Sequence, residues 1–274
     1  MEEETETPIL FTLNSSEDFR RTAKPAIVST EGVYHLWIPP EKIDTIMEDI
    51  LSVDGSRLTK FIAEKLSSER RFQKERRPEF ERRQEYKGED AAQTLDEARM
   101  EYGVTPKKLQ FEIPSLADFG FGEEGEFVMK GGDASYFFND IVKEFALKRV
   151  KRMNEQIQST KLDLVKEDEL ERIDKQSLEI QLSNALEYED REDFISELED
   201  GQFYPYEINT ERGSLLLTGR LIDEQNGGML SLTTDGKKLT ILPKHNSRFD
   251  SILRFYRFLV ENVDPSASVQ ELAN

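Results

Sequence analysis

The sequence predicts an α+β protein. It has a helix-rich N-terminal and central region with short strands, followed by a C-terminal four-stranded β-meander packed on a terminal helix. Two observations lead to this prediction. Apolar residues recur at helical spacing before about residue 200, whereas alternating β-type runs joined by turn dipeptides follow it. We expect four parts, at residues 1–132, 133–201, 202–265 and 266–274, the last being a mobile tail.

The first elements of the chain are short. Residues 8–13 predict a strand, and residues 15–18 predict the start of a helix that ends before Pro25. The β-rich runs on either side of the pair Glu31, Gly32 then predict a hairpin within residues 26–38.

A helical hairpin follows in our prediction. Residues 41–53 place their apolar side chains on one helical face, so they predict an amphipathic helix. After a turn at residues 54–56, the spacing of Leu58, Phe61 and Ile62 predicts a second helix antiparallel to the first.

An arginine-rich stretch, residues 69–87, differs in charge from the rest of the chain. It holds 8 basic and 5 acidic residues in a chain of net charge −19, with aromatic residues interleaved. One interpretation is a mixed-charge helix broken near Pro78. The other is a phosphate- or acid-binding segment, because arginines beside aromatics suit single-stranded nucleic acid.

Residues 94–102 predict a short helix that Gly103 ends, and residues 108–113 predict a strand. The stretch from Gly120 to Gly125 matches G-x-G-x-x-G. A dinucleotide or kinase site needs a strand before these glycines and particular residues after them, and this chain has neither. We therefore expect a flexible glycine loop followed by a strand at residues 126–129.

The central region opens with an N-cap at Asp133 or Ser135. A helical seam continues through residues 146–157, with basic residues on its opposite face. Leucine and isoleucine spacing extends the helical prediction over residues 162–198, and Gly201 is the expected stop. Residues 155–200 hold 16 acidic and 5 basic side chains, a face that is either solvated or a docking surface for a basic partner.

The C-terminal region predicts four strands, at residues 204–208, 214–223, 229–233 and 238–242. Asn226 with Gly227 and Asp235 with Gly236 are hairpin turn pairs. A helix from about residue 249 to residue 260 follows, and Pro265 ends it.

Composition excludes several classes of chemistry. The chain has 274 residues, 34% of them charged, and no cysteine, which rules out disulfides, thiolate metal sites and cysteine nucleophiles. Its acidic first residues and lack of a long apolar run predict a cytoplasmic protein that does not enter a membrane. His35 and His245 are too few for a histidine zinc site, and we expect no catalytic residue, cofactor or metal.

The leading hypothesis is a non-enzymatic interaction or assembly protein that binds a protein partner or associates with itself. We expect it to act through its helical faces and an open meander edge. Nucleic-acid binding is the first alternative, and a metal-dependent enzyme with carboxylate ligands is the second. Catalytic activity is left open. The candidate nucleic-acid-binding residues are Arg70, Arg71, Lys74, Arg76, Arg77, Arg82, Arg83, Lys148, Arg149, Lys151 and Arg152.

Overall fold

A computed structural model describes residues 9–10, 12, 16–28, 36–65, 82–160, 162–167, 170–175, 177–210, 217–244, 247 and 249–269. The chain divides into two compact units, residues 1–37 and residues 38–274. The first unit contains two short helices, α1 (Ser16–Arg21) and α2 (Ala23–Val28).

Pro25 lies in the first turn of α2, where a helix needs no N–H from it. The expected helix that ends before Pro25 is confirmed as α1, whereas the strand expected from residue 26 is wrong because α2 continues to Val28. The strand predicted at residues 8–13 and the turn around Glu31 lie partly or wholly outside the described residues.

The helices of the second unit follow the sequence prediction at most positions. They are α3 (Pro40–Leu51), α4 (Ala91–Tyr102), α5 (Ala134–Tyr136), the π-helix π1 (Phe137–Leu147), α6 (Lys148–Ser159), a 3₁₀ turn (Tyr188–Asp190), α7 (Arg191–Asp200), α8 (Phe249–Phe258) and the π-helix π2 (Leu259–Val263).

Helices α5, π1 and α6 run without a break, and together they are called the central helix. Asp133 is its N-cap, since the carboxylate accepts hydrogen bonds from the amides of Ser135 and Tyr136. Val150 and Ile157 of the predicted seam are fully buried. Gly103 ends α4 with a φ of 62°, as expected for a glycine C-cap.

The strands form three antiparallel sheets. Their bounds are β1 (Arg57–Lys65), β2 (Arg82–Lys87), β3 (Thr105–Ile113), β4 (Ala117–Gly122), β5 (Phe127–Gly132), β6 (Leu162–Glu167), β7 (Leu170–Lys175), β8 (Leu178–Gln181), β9 (Phe203–Thr210), β10 (Leu217–Asp223), β11 (Met229–Thr234), β12 (Lys238–Pro243) and β13 (Ser268–Val269).

The N-terminal sheet has the order β2-β1-β3-β4-β5, and the C-terminal sheet has the order β13-β8-β12-β11-β10-β9. Strands β6 and β7 make a separate two-stranded sheet, called the ribbon. The α+β class is confirmed. The C-terminal sheet has six strands rather than the predicted four, because β8 joins the meander along β12 and β13 pairs with β8.

Strand β1 replaces the second helix of the predicted hairpin, so that prediction is wrong. The pairing of β1 with β3 shifts between Leu58 and Lys60, which is a β-bulge. The bulge buries both Leu58 and Phe61, three positions apart, before Ala63 resumes ordinary alternation. The buried residues of this bulged strand are therefore spaced like those of a helix.

The helix predicted over residues 162–186 is also wrong, since β6, β7 and β8 occupy most of it. In β8, Leu178 and Ile180 are buried and alternate with half-exposed residues, as in a strand. A segment dense in leucine and isoleucine fits both periods, and only pairing with β12 decides between them. Helix α7 and the stop at Gly201 are confirmed.

The glycine-rich stretch is a hairpin and not a loop. Gly120 and Gly122 lie within β4, while Phe119 and Phe121 alternate with them and are buried. Phe111 of β3 stacks on both rings, at centroid distances of 5.7 and 5.9 Å. The strand expected at residues 126–129 is confirmed as β5. Gly120 and Gly122 thus alternate with the phenylalanines and lie on the face of the sheet opposite to the aromatic core.

The C-terminal helix joins both sheets. Phe255 and Phe258 of α8 contact Phe203 of β9, with ring centroids 5.4 and 5.9 Å apart. In the same last turn of α8, Arg257 forms an ion pair of 3.2 Å with Glu124 in the β4–β5 turn. Beyond π2, residues 268–269 pair with β8.

Candidate functional site

The predicted basic residues fall in three places. Arg70, Arg71, Lys74, Arg76 and Arg77 lie outside the described residues. Arg82 and Arg83 begin β2, and Lys148, Arg149, Lys151 and Arg152 lie on α6. The structure therefore groups the four basic residues of α6 on one helix. It places Arg82 and Arg83, near the end of the arginine-rich stretch, on a strand.

The basic residues of α6 are engaged by carboxylates. Lys148 pairs with Glu144 at 2.9 Å, and Lys151 with Glu155 at 3.6 Å. Arg149 donates two hydrogen bonds, of 3.0 and 3.1 Å, to the carboxylate of Asp49. Much of the positive charge expected to meet phosphate groups on this helix is thus balanced within the protein.

A cleft of about 540 Å³ opens beside these ion pairs. One wall carries Lys148, Arg149 and Arg152 of α6, and the other carries Glu41 and Asp49 of α3. Lys42 on the α3 wall and Glu144 on the other give each wall charges of both signs, and the bidentate contact of Arg149 with Asp49 joins the walls. The cleft therefore has no surplus of charge large enough to select a strongly charged ligand.

Tyr256 of α8 also lines this cleft. Burial, and after it the carboxylate of Glu41, raises the pKa of Tyr256 far above its ordinary value. Its hydroxyl donates a 3.0 Å hydrogen bond to the carbonyl of Ala267. The tyrosine stays neutral at physiological pH, and its hydrogen bond is used to fix the segment after π2.

Sheet edges are the second kind of candidate site. Proteins usually protect an outer strand with a proline, a bulge or very short length, because its unpaired backbone groups invite another strand. Strand β9 carries Pro205, and its pairing with β10 contains a bulge. Strand β13 has only two residues. The outer strands of the C-terminal sheet are thus protected.

The N-terminal sheet differs at one of its two edges. The pairing of β5 with β4 shifts between Asp118 and Phe119, which leaves Lys130 as an inserted residue. Strand β2 pairs with β1 through six consecutive residues without any shift, and it contains no proline. Among the described strands of the two large sheets, β2 is the long, regular outer strand.

The backbone of β2 presents alternate residues to the outside. The amide of Gly88 donates a 3.1 Å hydrogen bond to the carbonyl of Thr59 in β1. Hydrogen-bonding direction alternates along an antiparallel strand, so Arg83, Glu85 and Lys87 turn their N–H and C=O groups away from β1. No described strand pairs with that side of β2.

Side chains hold β2 in place from the inner face of the sheet. The rings of Tyr86 and Phe61 stack with centroids 5.9 Å apart, and Phe61 is fully buried. The Tyr86 hydroxyl also donates a 2.5 Å hydrogen bond to Asp90, just before α4. Strand β2 is therefore anchored before any partner arrives, which lowers the entropic cost of binding.

The charges along β2 are unbalanced. Arg83 pairs with Glu64 at 3.1 Å, and hydrogen bonding to Lys60 lowers the pKa of the Glu85 carboxyl. Lys87, however, stands directly opposite Lys60 in the register, and like charges in that position repel. A carboxylate placed beside Lys87 on a further strand would relieve this repulsion.

The arginine-rich stretch is attached to the same place. Lys65 and Arg82 are register partners at the ends of β1 and β2. Residues 66–81, which come between them in the sequence, lie outside the described residues. This connection contains the five predicted basic residues that precede β2.

The described residues contain no metal centre of the ordinary kind. Within them, no group of three or more histidine, aspartate or glutamate side chains is placed to hold a metal ion. His35 and His245 both lie outside the described residues. Among the helices of the described ranges, none is long and apolar enough to cross a membrane.

Sequence reasoning located Arg83 but missed the edge to which it belongs. The signal was the alternation of charged residues 83, 85 and 87 with Gln84 and Tyr86. That pattern is short, and the mixed-charge helix explained it equally well. Which strand ends at the edge of a sheet depends on pairing, and pairing involves residues far away in the sequence.

Comparisons with known proteins add two matches. A family model described as a family middle domain, AF_0896_M, matches residues 41–124. These residues include helices α3 and α4 and strands β1–β4. The four strands are the N-terminal sheet without β5. An uncharacterized protein of Archaeoglobus fulgidus is 25% identical over 276 residues, covering 96% of this chain and 75% of the relative. No solved structure matches the chain significantly.

Proposed function

We propose that this chain is a non-enzymatic protein-interaction protein, and that it binds a partner by accepting an extended segment beside β2. The observation that carries the proposal is the regular outer strand β2, with the backbone groups of Arg83, Glu85 and Lys87 turned outward. Main-chain hydrogen bonds supply affinity in such strand addition, and side chains at alternate positions supply specificity. The outer strand of the meander is a poorer acceptor because of Pro205 and its bulge.

The charges on β2 specify the kind of segment. Carboxylates opposite Arg83 and Lys87, with a neutral or basic residue opposite Glu85, would match the strand position by position. A strand with a different charge pattern would place like charges opposite those of β2. The resulting repulsion disfavours unselective association at this edge. We place this role in the cytoplasm, since a chain without cysteine needs no oxidising compartment.

Two synthetic peptides test the proposal. The first, Thr-Glu-Val-Lys-Val-Glu-Thr, has the matching pattern, and the second, Thr-Lys-Val-Glu-Val-Lys-Thr, has the opposite one. We expect the first to bind, to slow hydrogen exchange at the amides of residues 83, 85 and 87, and to lose affinity as salt rises. The second peptide should bind measurably less well.

A charge-reversed protein makes the test specific to β2. In the triple variant Arg83→Glu, Glu85→Lys, Lys87→Glu, the preference between the two peptides should invert. All three side chains are exposed, so the fold is expected to persist, which circular dichroism checks. Equal binding of both peptides, or no protection at β2 with either, would refute strand addition at this edge.

Nucleic-acid binding is the second candidate, favoured by the basic residues of the arginine-rich stretch. Five of these residues precede Arg82 in the sequence, and Arg82 and Arg83 begin β2. Affinity for a single-stranded oligonucleotide should then fall steeply with salt and with charge reversal at Arg76 and Arg77. An oligonucleotide that binds both forms equally would count against this candidate and leave strand addition unaffected.

A further inference from the structure

The sequence of β2 is complementary to itself. A segment that matches β2 has a carboxylate opposite Arg83 and a neutral or basic residue opposite Glu85. Arg83 and Glu85 are two positions apart in the chain, so a second β2 that runs antiparallel to the first can supply both. The strand therefore carries the charges that its own partner needs.

The backbone limits the registers in which two copies of β2 can pair. Residues 83, 85 and 87 turn their N–H and C=O groups outward, so in an antiparallel pair each of them must stand opposite another outward residue. The longest overlaps within β2 are residues 83–87 in one register and residues 82–86 in another. Every other register that the backbone allows has a shorter overlap.

Charge separates these two registers. The first sets Arg83 opposite Lys87 and Glu85 opposite the Glu85 of the second copy, so every outward pair repels. The second sets Arg83 of each copy opposite Glu85 of the other, so the same favourable pair forms twice. Electrostatics therefore favours the register that shares residues 82–86.

The favoured register has the geometry of a two-fold interface. Gln84 of one copy stands opposite Gln84 of the other at the two-fold axis, and a side-chain amide can both donate and accept a hydrogen bond. On each side of the axis, residue 83 of one copy and residue 85 of the other exchange both of their main-chain hydrogen bonds. Both copies thus use the same patch, as in most dimers with two-fold symmetry.

Neighbouring side chains on β1 extend the alternation of charge. Within one copy, Arg83 pairs with Glu64 at 3.1 Å, and Glu85 pairs with Lys60. The side chains of Arg83 and Glu85 are 65% and 51% exposed, so a further strand can reach them. Across the two copies the row would read Glu64, Arg83, Glu85 and Lys60, with each charge beside one of opposite sign.

We infer that β2 of a second copy of this chain adds to β2, with Arg83 of each copy opposite Glu85 of the other. This inference rests on the proposed function and names its partner. The two N-terminal sheets then form one continuous sheet with both β2 strands at its centre. Copies of a chain with net charge −19 otherwise repel each other, so the association depends on this pairing of charges.

Absolute mass by light scattering on the full chain tests the inference. The native protein should approach twice its 31.8 kDa as concentration rises. Arg83→Glu places a carboxylate opposite Glu85, and Glu85→Lys places an ammonium group opposite Arg83, in both cases twice per dimer. Each single variant should raise the dissociation constant of the dimer by about tenfold or more, because like charges across an interface repel.

Restoring the pair provides the decisive measurement. The double variant Arg83→Glu, Glu85→Lys exchanges the two charges, so the native mass should return. An equimolar mixture of the two single variants should also reach the native mass, because one copy then presents two acidic residues and the other two basic ones. Loss of mass through misfolding would not be reversed by adding a second substitution.

The single variants also identify the register. If Arg83 stood opposite Lys87, Arg83→Glu would replace repulsion with attraction and would strengthen the association. The inferred register predicts the opposite result. Hydrogen exchange at the amides of residues 83 and 85 should slow as the concentration of native protein rises, since these amides donate to the second copy.

Matched controls separate this effect from net charge. Lys108→Glu changes the charge as Arg83→Glu does, at an exposed position of β3 in the same sheet. Glu199→Lys matches Glu85→Lys at an exposed position of α7. Both controls should keep the native mass, and circular dichroism should show every variant folded.

The outcomes distinguish the inference from the proposal beneath it. A mass of 31.8 kDa at every concentration, native or stronger association in the single variants, or no recovery in the double variant and the mixture overturns the self-pairing. If the matching peptide nevertheless protects β2, strand addition stands and the partner is another protein. If the peptide also fails, the proposed function falls with the inference.

Discussion

The two large sheets of this protein treat their outer strands differently. The C-terminal sheet ends in β9, with Pro205 and a bulge, and in the two-residue β13. The N-terminal sheet ends in β2, which is regular and turns three residues outward. The difference supports the proposal that the N-terminal sheet accepts a further strand at β2, whereas the outer strands of the C-terminal sheet are protected.

The attachment of each sheet to α8 shows the same contrast. Asp223, at the end of β10, is 1% exposed and forms an ion pair with Arg254 of α8. Glu124, in the β4–β5 turn, is 33% exposed in its pair with Arg257. The C-terminal sheet is fastened through a buried charge, and this turn of the N-terminal sheet through a charge that water reaches.

The largest expected effect comes from removing the buried attachment. Asp223→Ala leaves Arg254 with Asp250 as its remaining carboxylate partner, so the free energy of unfolding should fall by about 3 kcal/mol. Glu124→Ala, the matched change at the other sheet, should cost less than about 1 kcal/mol because solvent screens that pair. Urea unfolding measures both. Equal costs would show that the two attachments do not differ.

A smaller effect is expected at the end of β5. Gly132 has a φ of 106°, and a Cβ there would overlap the carbonyl oxygen of Leu116. Gly132→Ala should lower the free energy of unfolding by about 2 kcal/mol or more. Gly131→Ala adds a methyl group to open space and should stay within about 0.5 kcal/mol of the native protein.

Urea unfolding of these neighbouring variants tests how tightly the β5 edge of the N-terminal sheet is fixed. If Gly132→Ala proved as stable as Gly131→Ala, the end of β5 would be adaptable. The β5 edge would then not be the firmly fixed edge of this sheet, in contrast to β2.

The smallest effect concerns pH. Burial raises the pKa of the Glu123 carboxyl above its usual range, against the opposing pull of Lys107, whose ammonium lies 2.7 Å away. The folded protein therefore holds this proton more tightly than the unfolded chain. Its contribution to stability falls as pH rises from about 4, the ordinary glutamate pKa, through the raised value.

Glu123→Gln should remove this contribution, so its unfolding free energy relative to native protein should rise with pH over that interval. Urea unfolding at several pH values between about 4 and 7 measures the change. Glu112→Gln, in the exposed pair of Glu112 with Arg57, serves as the control and should leave the profile nearly parallel to the native one. A parallel profile for Glu123→Gln would contradict the prediction.

Much of the fold could be read from local patterns. Amphipathic α3, the Asp133 N-cap, the Gly103 C-cap and the strands β10–β12 each depend on residues that are close in sequence. The failures share one cause. A bulge made β1 resemble a helix, and β8 reads as a helix until β12 pairs with it.

Some features of the candidate site could likewise be predicted from local sequence, and others could not. The basic character of residues 69–87 was visible in the sequence, and Arg83 was among the residues predicted to bind nucleic acid. The charge balance on α6 was not visible, because Asp49 lies a hundred positions before Arg149. Nor was it visible that β2 lies at an edge, since that follows from the strands that do not pair with it.

The sequence by itself determined the α+β class, the absence of cysteine chemistry, the strong negative charge and the positions of most helices and turns. These properties depend on composition and on contacts between near neighbours. Tertiary structure alone decided which strands are outermost, which charges are neutralised and where the glycine-rich hairpin is held. Each of these features depends on pairing between segments that are distant in the sequence. The free energy of such pairing cannot be read from a local sequence pattern.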